Sequence, residues 1–550
     1  MSAEPATWGG AARPFGQYRC VAAYDYDGDG RDDLLFGGAA GRLRLFRNRG
    51  GWHFDDVTAL LGDLPARNNY GGAAWADLDG DGRADLVLGG RATAPVVLRQ
   101  TDTGGFDDVT AASGVISYGR TLSLNLADFD GDGRTDIYLA LLNAPNRLYL
   151  NRGVMRFVDE AALRGATDDN VSMGAIATDY DGDGDVDLYL THDNNRPNLL
   201  LANDGRGYFA DVAAELGVDV AANGMGVDVA DFDGDARADL YVTNLLENNL
   251  LLTGTRYPRR YVDEATARAA DDRGMGWGVA VADFDHDGRA DIYVGNESYF
   301  TVDGRERPNV LYRGLPDGTF EDVAAGAAAS PWNDFGLASA DLDGDGDLDL
   351  AIATSGGLGC QVLRNDSPTG NYLAVRTPAI NAQLVAYAGG RKFWDETHAG
   401  SGFAGQSAPH FHVGLGDIAG VDSVVVKMPT GARLAFRDVA PNRTYSLTEA
   451  GTLEEFVLGP LSSADREAGF AVAGLSVAPN PTSGAIAVGF GESRNWTYRV
   501  LDGLSNSLRR GACSTRRCTI DLHGLRAGAY IVVVRDAATG KSARRIILRQ

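Results

Sequence analysis

Residues 25–33 read DYDGDGRDD, and the pattern returns six more times. DLDGDGRAD begins at 77, DFDGDGRTD at 128, DYDGDGDVD at 179, DFDGDARAD at 231, DFDHDGRAD at 283 and DLDGDGDLD at 341. The steps between starts are 52, 51, 51, 52, 52 and 58 residues. A fixed period in this range means a solenoid, a propeller or an array. The flanks repeat too. An apolar stretch such as VAVAD (279–283) precedes each run, and a second one such as DIYVGN (291–296) comes after it. A third stretch resembles NRLYLN (146–151), and a fourth is built on F-x-D-V, as in FDDVT (54–58). Short segments rich in Val, Leu, Tyr and Phe, separated by Gly, Asn and Asp, are strands rather than helices. Four short strands per repeat make one propeller blade, so the expectation is an all-β chain with a seven-bladed β-propeller. A solenoid would usually need capping repeats and shorter periods.

Each run falls between the first and second strands, in a tight hairpin loop. Side-chain oxygens at positions 1, 3, 5 and 9, with the backbone carbonyl of position 7, can converge on one point. Hard oxygen donors in six- to eight-fold number suit Ca²⁺, while Mg²⁺ demands stricter octahedral geometry and keeps its waters. The expected ligands are Asp25, Asp27, Asp29, Arg31 and Asp33 in the first run, and Asp77, Asp79, Asp81, Arg83 and Asp85 in the second. The third and fourth runs offer Asp128, Asp130, Asp132, Arg134, Asp136, and Asp179, Asp181, Asp183, Asp185, Asp187. The fifth and sixth offer Asp231, Asp233, Asp235, Arg237, Asp239, and Asp283, Asp285, Asp287, Arg289, Asp291. The seventh offers Asp341, Asp343, Asp345, Asp347 and Asp349. Plain Asp-Gly turns would also explain one or two such residues per loop. They do not explain carboxylates that repel one another by around a kcal/mol per pair at ~5 Å, seven times in register. Glycine at position 6 permits a sharp turn at positive φ. Ala236 replaces it in the fifth run, where positive φ costs roughly 1 kcal/mol, so that site should be the weakest. His286, at position 4 of the sixth run, should point outward as a surface residue.

The chain has 75 acidic and 50 basic residues, a net charge of −25, which disfavours nucleic acid and anionic membranes as partners and favours cations. Seven divalent ions would offset more than half of that charge. No apolar run approaches the ~18 residues of a membrane span. The N-terminus MSAEPATWGG has no apolar signal core, so the protein is either cytosolic or made with a leader absent from this sequence.

The aspartate repeat resembles the FG-GAP/VCBS family of calcium-loop propellers, the integrin α-subunit head type, over about residues 18–368. The resemblance implies adhesion, matrix or carbohydrate contacts. Residues 371–449 change character. NYLAVRT, SGFAGQSAPHFHVGLG, DSVVVKMPTG and NRTYSLTE resemble the ASPIC/UnbV domain, which follows VCBS repeats in the cartilage acidic protein family. The family's H-F-G-L-G stands here as HVGLG, with His412 in the histidine place, and its W-P-S-G as MPTG (428–431). Its glycine-rich G-x-G-A turn is missing, and the chain reads TPAINAQLVAYAGG there. LSVAPNPTSGAIAVGF (475–490), an L-x-x-G-x-Y centre and a basic-apolar end look like a type A sorting domain of the type IX secretion system. That implies a Bacteroidota-type bacterium, export through a removed leader, and release or anchoring at the cell surface. The expected organisation is a propeller over 1–368, a small ASPIC/UnbV-like β domain over 369–450, a linker over 451–473, and a C-terminal β-sandwich over 474–550.

Cys513 and Cys518 flank STRR, close enough for a hairpin disulfide in an exported domain. Cys20 and Cys360 fall in the first and last repeats, so either a clasp or two buried thiols is open. The seventh blade lacks an F-x-D-V strand, which about residues 4–10 or NYLAV (371–375) would supply. His398, His410 and His412 lie close in sequence, but no Cys or acidic spacing supports a transition-metal site. No G-x-S-x-G, HExxH or phosphate loop occurs in its strand–helix context. The connections between second and third strands vary most, as in NESYFTVDGRERPN (296–309) and THDNNRPN (191–198). Asn195, Tyr299, Phe300 and Arg305 are therefore the candidate ligand face. The expectation is a binding or adhesion module for glycan or protein ligands, with a polysaccharide-acting enzyme as the alternative.

Overall fold

The structure is a computed structural model. It describes residues 7–9 and 16–458, apart from 40–41, 65–68, 92, 256–259, 298–306, 327, 331, 357–358, 367–369 and 449, and within 476–549 the strands given below with residues 522 and 525. Two compact units divide the chain, residues 1–458 and 459–550.

The aspartate repeats fold into successive antiparallel units: the second to sixth are separate four-stranded sheets, and the first and seventh are joined in one nine-stranded sheet through Gly16 opposite Gly356 and Gln17 opposite Ser355. The sixth is typical: Gly276–Ala282, Asp291–Asn296, Val310–Gly314 and Phe320–Asp322. Its register sets Val279 opposite Val294, Ile292 opposite Tyr312, and Tyr312 opposite Asp322. Second strands are covered on both faces by neighbouring sheets, so Asp291–Asn296 is buried at every position, which is why these strands read as continuous apolar runs. The first strand of each sheet lies against the first strand of the next, and Asn333–Ala340 of the seventh returns against Gly16–Tyr24 of the first. The ring therefore closes, as in a β-propeller.

Side-chain amides stitch the ring. Asn151 Nδ2 donates to Leu78 O of the preceding sheet at 2.8 Å, and Asn203 Nδ2 donates to Phe129 O at 2.9 Å. Asn365 Nδ2 donates to Phe284 O at 2.6 Å, and Asn48 Nδ2 donates across the closure to Leu342 O at 2.8 Å. Buried carbonyls need such partners.

Neither candidate closes the seventh sheet, which has three strands among the described residues: Asn333–Ala340, Asp349–Gly356 and Gln361–Leu363. Thr7–Gly9 instead pairs in parallel with the outer strand of the first sheet, Thr7 opposite His53. Asn371–Arg376 belongs to the ASPIC/UnbV-like region, where Leu373 and Val375 enter a separate core. Cys20 and Cys360 are buried and not joined. Cys20 packs with Leu35 and Trp75, Cys360 with Phe36 and Val21, on opposite faces of the first sheet.

Residues 371–455 form two four-stranded sheets. One runs His410–Gly416, Asn371–Arg376, Arg443–Leu447, Leu453–Glu455; the other Arg391–Glu396, Gln383–Ala388, Val421–Lys427, Arg433–Val439. Val375, Leu384, Ala386, Phe411 and Val424 fill the space between them. Residues 453–455, expected in a linker, are a strand of this unit because Tyr445 pairs with Glu455 and Leu447 with Leu453.

This region caps the propeller, and its connection 398–408 runs into the ring of first strands. Leu126 N donates to Ala399 O, Gly402 N to Val227 O and Val21 N to Ala404 O, at 2.9, 2.8 and 3.2 Å. Gln406 takes both backbone groups of Trp75, Ala408 N donates to Ser339 O, and His398 meets Ala177 O. The Phe403 ring lies 5.0 Å from that of Trp277. The insert thus reaches the first strand of every sheet in the ring. Its close passage explains Gly336, where a Cβ would lie 2.8 Å from Ala404 O.

In the second unit, Ser476–Ala478, Ala485–Gly489 and Arg517–Asp521 form one sheet. Ser507–Cys513, Trp496–Leu501, Gly528–Asp536 and Ser542–Arg549 form another. The strands bearing Cys513 and Cys518 therefore belong to different sheets and do not form a two-stranded hairpin; the two side chains lie outside the described residues.

Candidate metal centres and the cap over them

Every aspartate run turns on two left-handed residues. Position 4 has φ between +61° at His286 and +82° at Gly182, and position 6 between +67° at Ala236 and +107° at Gly184. Ala236 is thus held where an L side chain is strained. The turn brings the position-6 N–H to Oδ2 of position 1 in all seven runs, as in Gly288 to Asp283 at 2.7 Å and Ala236 to Asp231 at 2.8 Å.

Position 9 has a second duty that the repeat alone did not reveal. Asp136 Oδ2 accepts from Phe129 N at 2.9 Å, and its Oδ1 accepts from Asn151 N at 2.7 Å. Asp187 does the same with Tyr180 and Asn203, and Asp349 with Leu342 and Asn365. The same Asn151, Asn203 and Asn365 stitch adjacent sheets, so these runs are tied into the ring through their last carboxylates, whereas Asp239 and Asp291 bind the backbone of Gly254 and Gly314, which have no side chain to do so.

Positions 1, 3 and 9 bring ligand oxygens within 4.8 Å of one another in Asp77/Asp79/Asp85, Asp128/Asp130/Asp136, Asp179/Asp181/Asp187 and Asp231/Asp233/Asp239. In the first run the converging trio is Asp25, Asp27 and Asp29. Burial pushes the position-9 carboxyls up, Asp85 to about 7, Asp136, Asp239 and Asp291 to about 8, and Asp187 and Asp349 to about 9. Asp25 Oδ1, Asp130 Oδ1 and Asp235 Oδ1 are buried without a hydrogen-bond partner. Clustered, desolvated carboxylate oxygens with unmet acceptors fit a hard divalent cation.

Arginines supply counter-charge that the repeat pattern did not show. Arg31, Arg83, Arg134, Arg237 and Arg289 at position 7, expected to offer only a carbonyl, turn their guanidinium groups to the position-5 aspartates Asp29, Asp81, Asp132, Asp235 and Asp287. From the third strands and the residues just after them, Arg47 reaches Asp27, Arg99 reaches Asp79, Arg152 reaches Asp130, and Arg364 reaches Asp343 at 3.1 Å. The sequence signal, a basic residue at or just after the third strand, was present in LFRN, VLRQ and LYLNR.

The cap lands on this face. Arg376 lies 3.3 Å from both Asp25 and Asp32, and Asp32 also meets His410 Nε2 at 2.9 Å. Lys427 Nζ donates to Asp179 Oδ2 at 2.7 Å and Gly182 O at 3.2 Å. Arg391 donates to Gly288 O, Gly416 N to His286 O, and His412 Nε2 meets Gly346 O at 2.9 Å. His286 is consequently 1% exposed, not a surface residue. Its Nε2 lies 3.9 Å from Asp347 Oδ1 of the seventh run, and its ring lies 5.0 Å from Tyr372 and 4.9 Å from His412. Burial lowers it to about 3 and His412 to about 4, so both are neutral at physiological pH. His398, His410 and His412 go to three different sheets and form seam contacts. Asn195 stands exposed in a left-handed turn at φ +55°; Tyr299, Phe300 and Arg305 lie outside the described residues.

The FG-GAP-like repeat family matches residues 25–88, 77–139, 128–190, 179–242 and 298–352, and the FG-GAP repeat family matches 275–306. The ASPIC and UnbV family matches 373–454, and the secretion system C-terminal sorting domain matches 476–549. Cartilage acidic protein 1 of Mus musculus is 28% identical over 478 residues, covering 78% of this chain and 73% of that one. Its Homo sapiens counterpart is 27% identical over 477 residues, covering 78% and 71%. Among solved structures, the BP39L lectin of Burkholderia pseudomallei is 12% identical, with a TM-score of 0.40 over 64% of this chain and 100% of that one. The Cps50 (Swd1) β-propeller domain of Myceliophteria thermophila is 11% identical, with a TM-score of 0.39 over 66% and 99%. Among the described residues no helix is long and apolar enough to cross a membrane. The repeats and the sorting tail imply a secreted or cell-surface protein. With all three sequence signatures matched in order along one all-β chain, the protein is an FG-GAP-repeat protein with an ASPIC and UnbV domain and a type IX secretion sorting tail.

Proposed function

We propose that this chain is an exported, calcium-stabilised binding protein whose ligand surface is the end of the propeller remote from the aspartate runs. The observation that carries the reading is the cap. It occupies much of the run-bearing face through its contacts to the runs at 25, 179, 283 and 341, so the ligand surface is sought at the opposite end. That end holds Tyr118 (89% exposed), Ile116 and Leu246 at strand ends far from the runs, and the exposed Asn195 in the turn after Asp187–His192. Aromatic and planar polar groups on a rigid scaffold suit a glycan or a protein ligand.

Ca²⁺ would be held by carboxylates of positions 1, 3, 5 and 9, and when bound it would supply cross-linking of each hairpin, with no chemical step. The sorting tail would engage the type IX machinery and lead to release or surface anchoring. A glycan array combined with a polysaccharide-degradation assay tests the reading. Binding without cleavage that weakens in Tyr118→Ala supports it. Unsaturated or hydrolysed products would assign a polysaccharide-acting enzyme instead, and binding unaffected at the remote end would move the ligand site elsewhere.

A further inference from the structure

We propose that the ASPIC and UnbV domain is a lid that divides the seven metal sites into a shielded set and an open set, with Arg376 and Lys427 as positioning residues for the shielded ligands; this rests on the calcium reading above. The contacts are unequal around the ring. Arg376 holds the position-1 carboxylate of the first run and Lys427 that of the fourth. Arg391 and Gly416 hold backbone carbonyls of the sixth run, and His412 holds the position-6 carbonyl of the seventh. Phe456 lies over the Arg376 guanidinium, 4.9 Å from ring to carbon, and covers Gly30 of the first run. Tyr372 covers Gly346 of the seventh. Among the described residues, no hydrogen bond or ion pair from the cap reaches the aspartates of the runs at 77, 128 and 231, and at position 6 Gly82 and Gly133 face open space while Gly30, Gly184, Gly288 and Gly346 lie against cap residues.

An ion leaves such a loop only when the hairpin opens, and local opening is governed by what else holds the segment. In the runs at 25, 179, 283 and 341 the position-1 carboxylate or a turn carbonyl is pinned from outside. Those hairpins open only when the cap lifts. The runs at 77, 128 and 231 open one at a time. Insertion of residues 398–408 into the ring of first strands makes lifting a concerted event.

The test uses the full chain loaded with Ca²⁺ and mixed with an excess of chromophoric chelator, following ion release in time. The expected result is two phases, with the slow amplitude belonging to the four covered runs. Asp130→Asn should remove amplitude from the fast phase and Asp343→Asn from the slow phase. Lys427→Ala should accelerate the slow phase by about tenfold, equivalent to about 1.4 kcal/mol, and leave the fast phase unchanged. Phe456→Ala, which touches no ligand, should do the same if the lysine variant folds poorly. Release in one phase, or loss of fast amplitude in Asp343→Asn, overturns the lid. A protein with no bound ion before chelation overturns the metal reading itself.

Discussion

Lys427 and Asp179, 248 residues apart, meet at 2.7 Å across the seam between cap and propeller. Both are largely buried, at 17% and 6% side-chain exposure. Removing one partner of such a pair leaves a desolvated charge, so Lys427→Ala should destabilise the first unit by about 1–3 kcal/mol. Urea unfolding read by tryptophan fluorescence would measure it. Lys427→Met, which keeps the stem, should lose nearly as much if charge rather than packing dominates.

Chelation should lower the melting temperature, and its pH dependence should reverse with metal. In the ion-free protein, burial holds the Asp136, Asp187 and Asp349 carboxyls at about 8, 9 and 9, against about 4 for an ordinary aspartate. The folded chain then binds more protons than the unfolded one. The contribution of these three groups to stability is fullest below about pH 4 and is lost as pH rises through about 8–9. Acidifying the chelated protein from about pH 8 to about pH 6 should raise its melting temperature. The same change in the Ca²⁺-loaded protein should lower it, because protons compete for the ligand oxygens. Parallel slopes in thermal scans would show that these carboxylates do not bind the ion.

Ala236→Gly should stabilise the fifth run by roughly 1 kcal/mol, since φ +67° is strained for alanine and free for glycine. Calorimetric Ca²⁺ titration should show a gain in one site only. The reverse change at Gly346, φ +96° and covered by Tyr372, should cost more, because the new methyl group meets a ring as well as backbone strain.

Phe403 is 2% exposed among Trp277 and Phe335. Phe403→Ala should cost about 3–5 kcal/mol and make the 398–408 connection cleavable in limited proteolysis. An unchanged digestion pattern would show that the insert is held by its backbone hydrogen bonds alone.

Asn151 N binds Asp136 while Asn151 Nδ2 binds Leu78 O and Thr135 O. Asn151→Ala leaves the buried Leu78 carbonyl and the partly buried Thr135 carbonyl without this donor and should destabilise by about 1–3 kcal/mol. Asn151→Asp should not rescue it, having no N–H₂ to donate; a full rescue in urea unfolding would place the stabilisation in the backbone bond.

Local chemistry that recurs every 51 or 52 residues was enough to read the strands, the hairpin position of each run, the strain at Ala236 and the clustering of carboxylates. These depend on neighbours a few residues away and on repetition, which a linear pattern carries. Three things depended on partners far along the chain. Position-9 aspartates look like pure ligands in sequence, yet each also accepts the backbone N–H of a residue at the third-strand end. His286 looks like a surface residue of an open loop, and it is one until Tyr372 and His412 arrive from a separate pair of sheets. SGFAGQSAPHF carries no periodicity and no charge pattern, so nothing local says that it fills the ring of first strands. Sequence alone determined the repeated unit and its donor chemistry, because both are short-range. Tertiary structure decided which loops are covered, because burial is a property of what the rest of the chain brings to a surface.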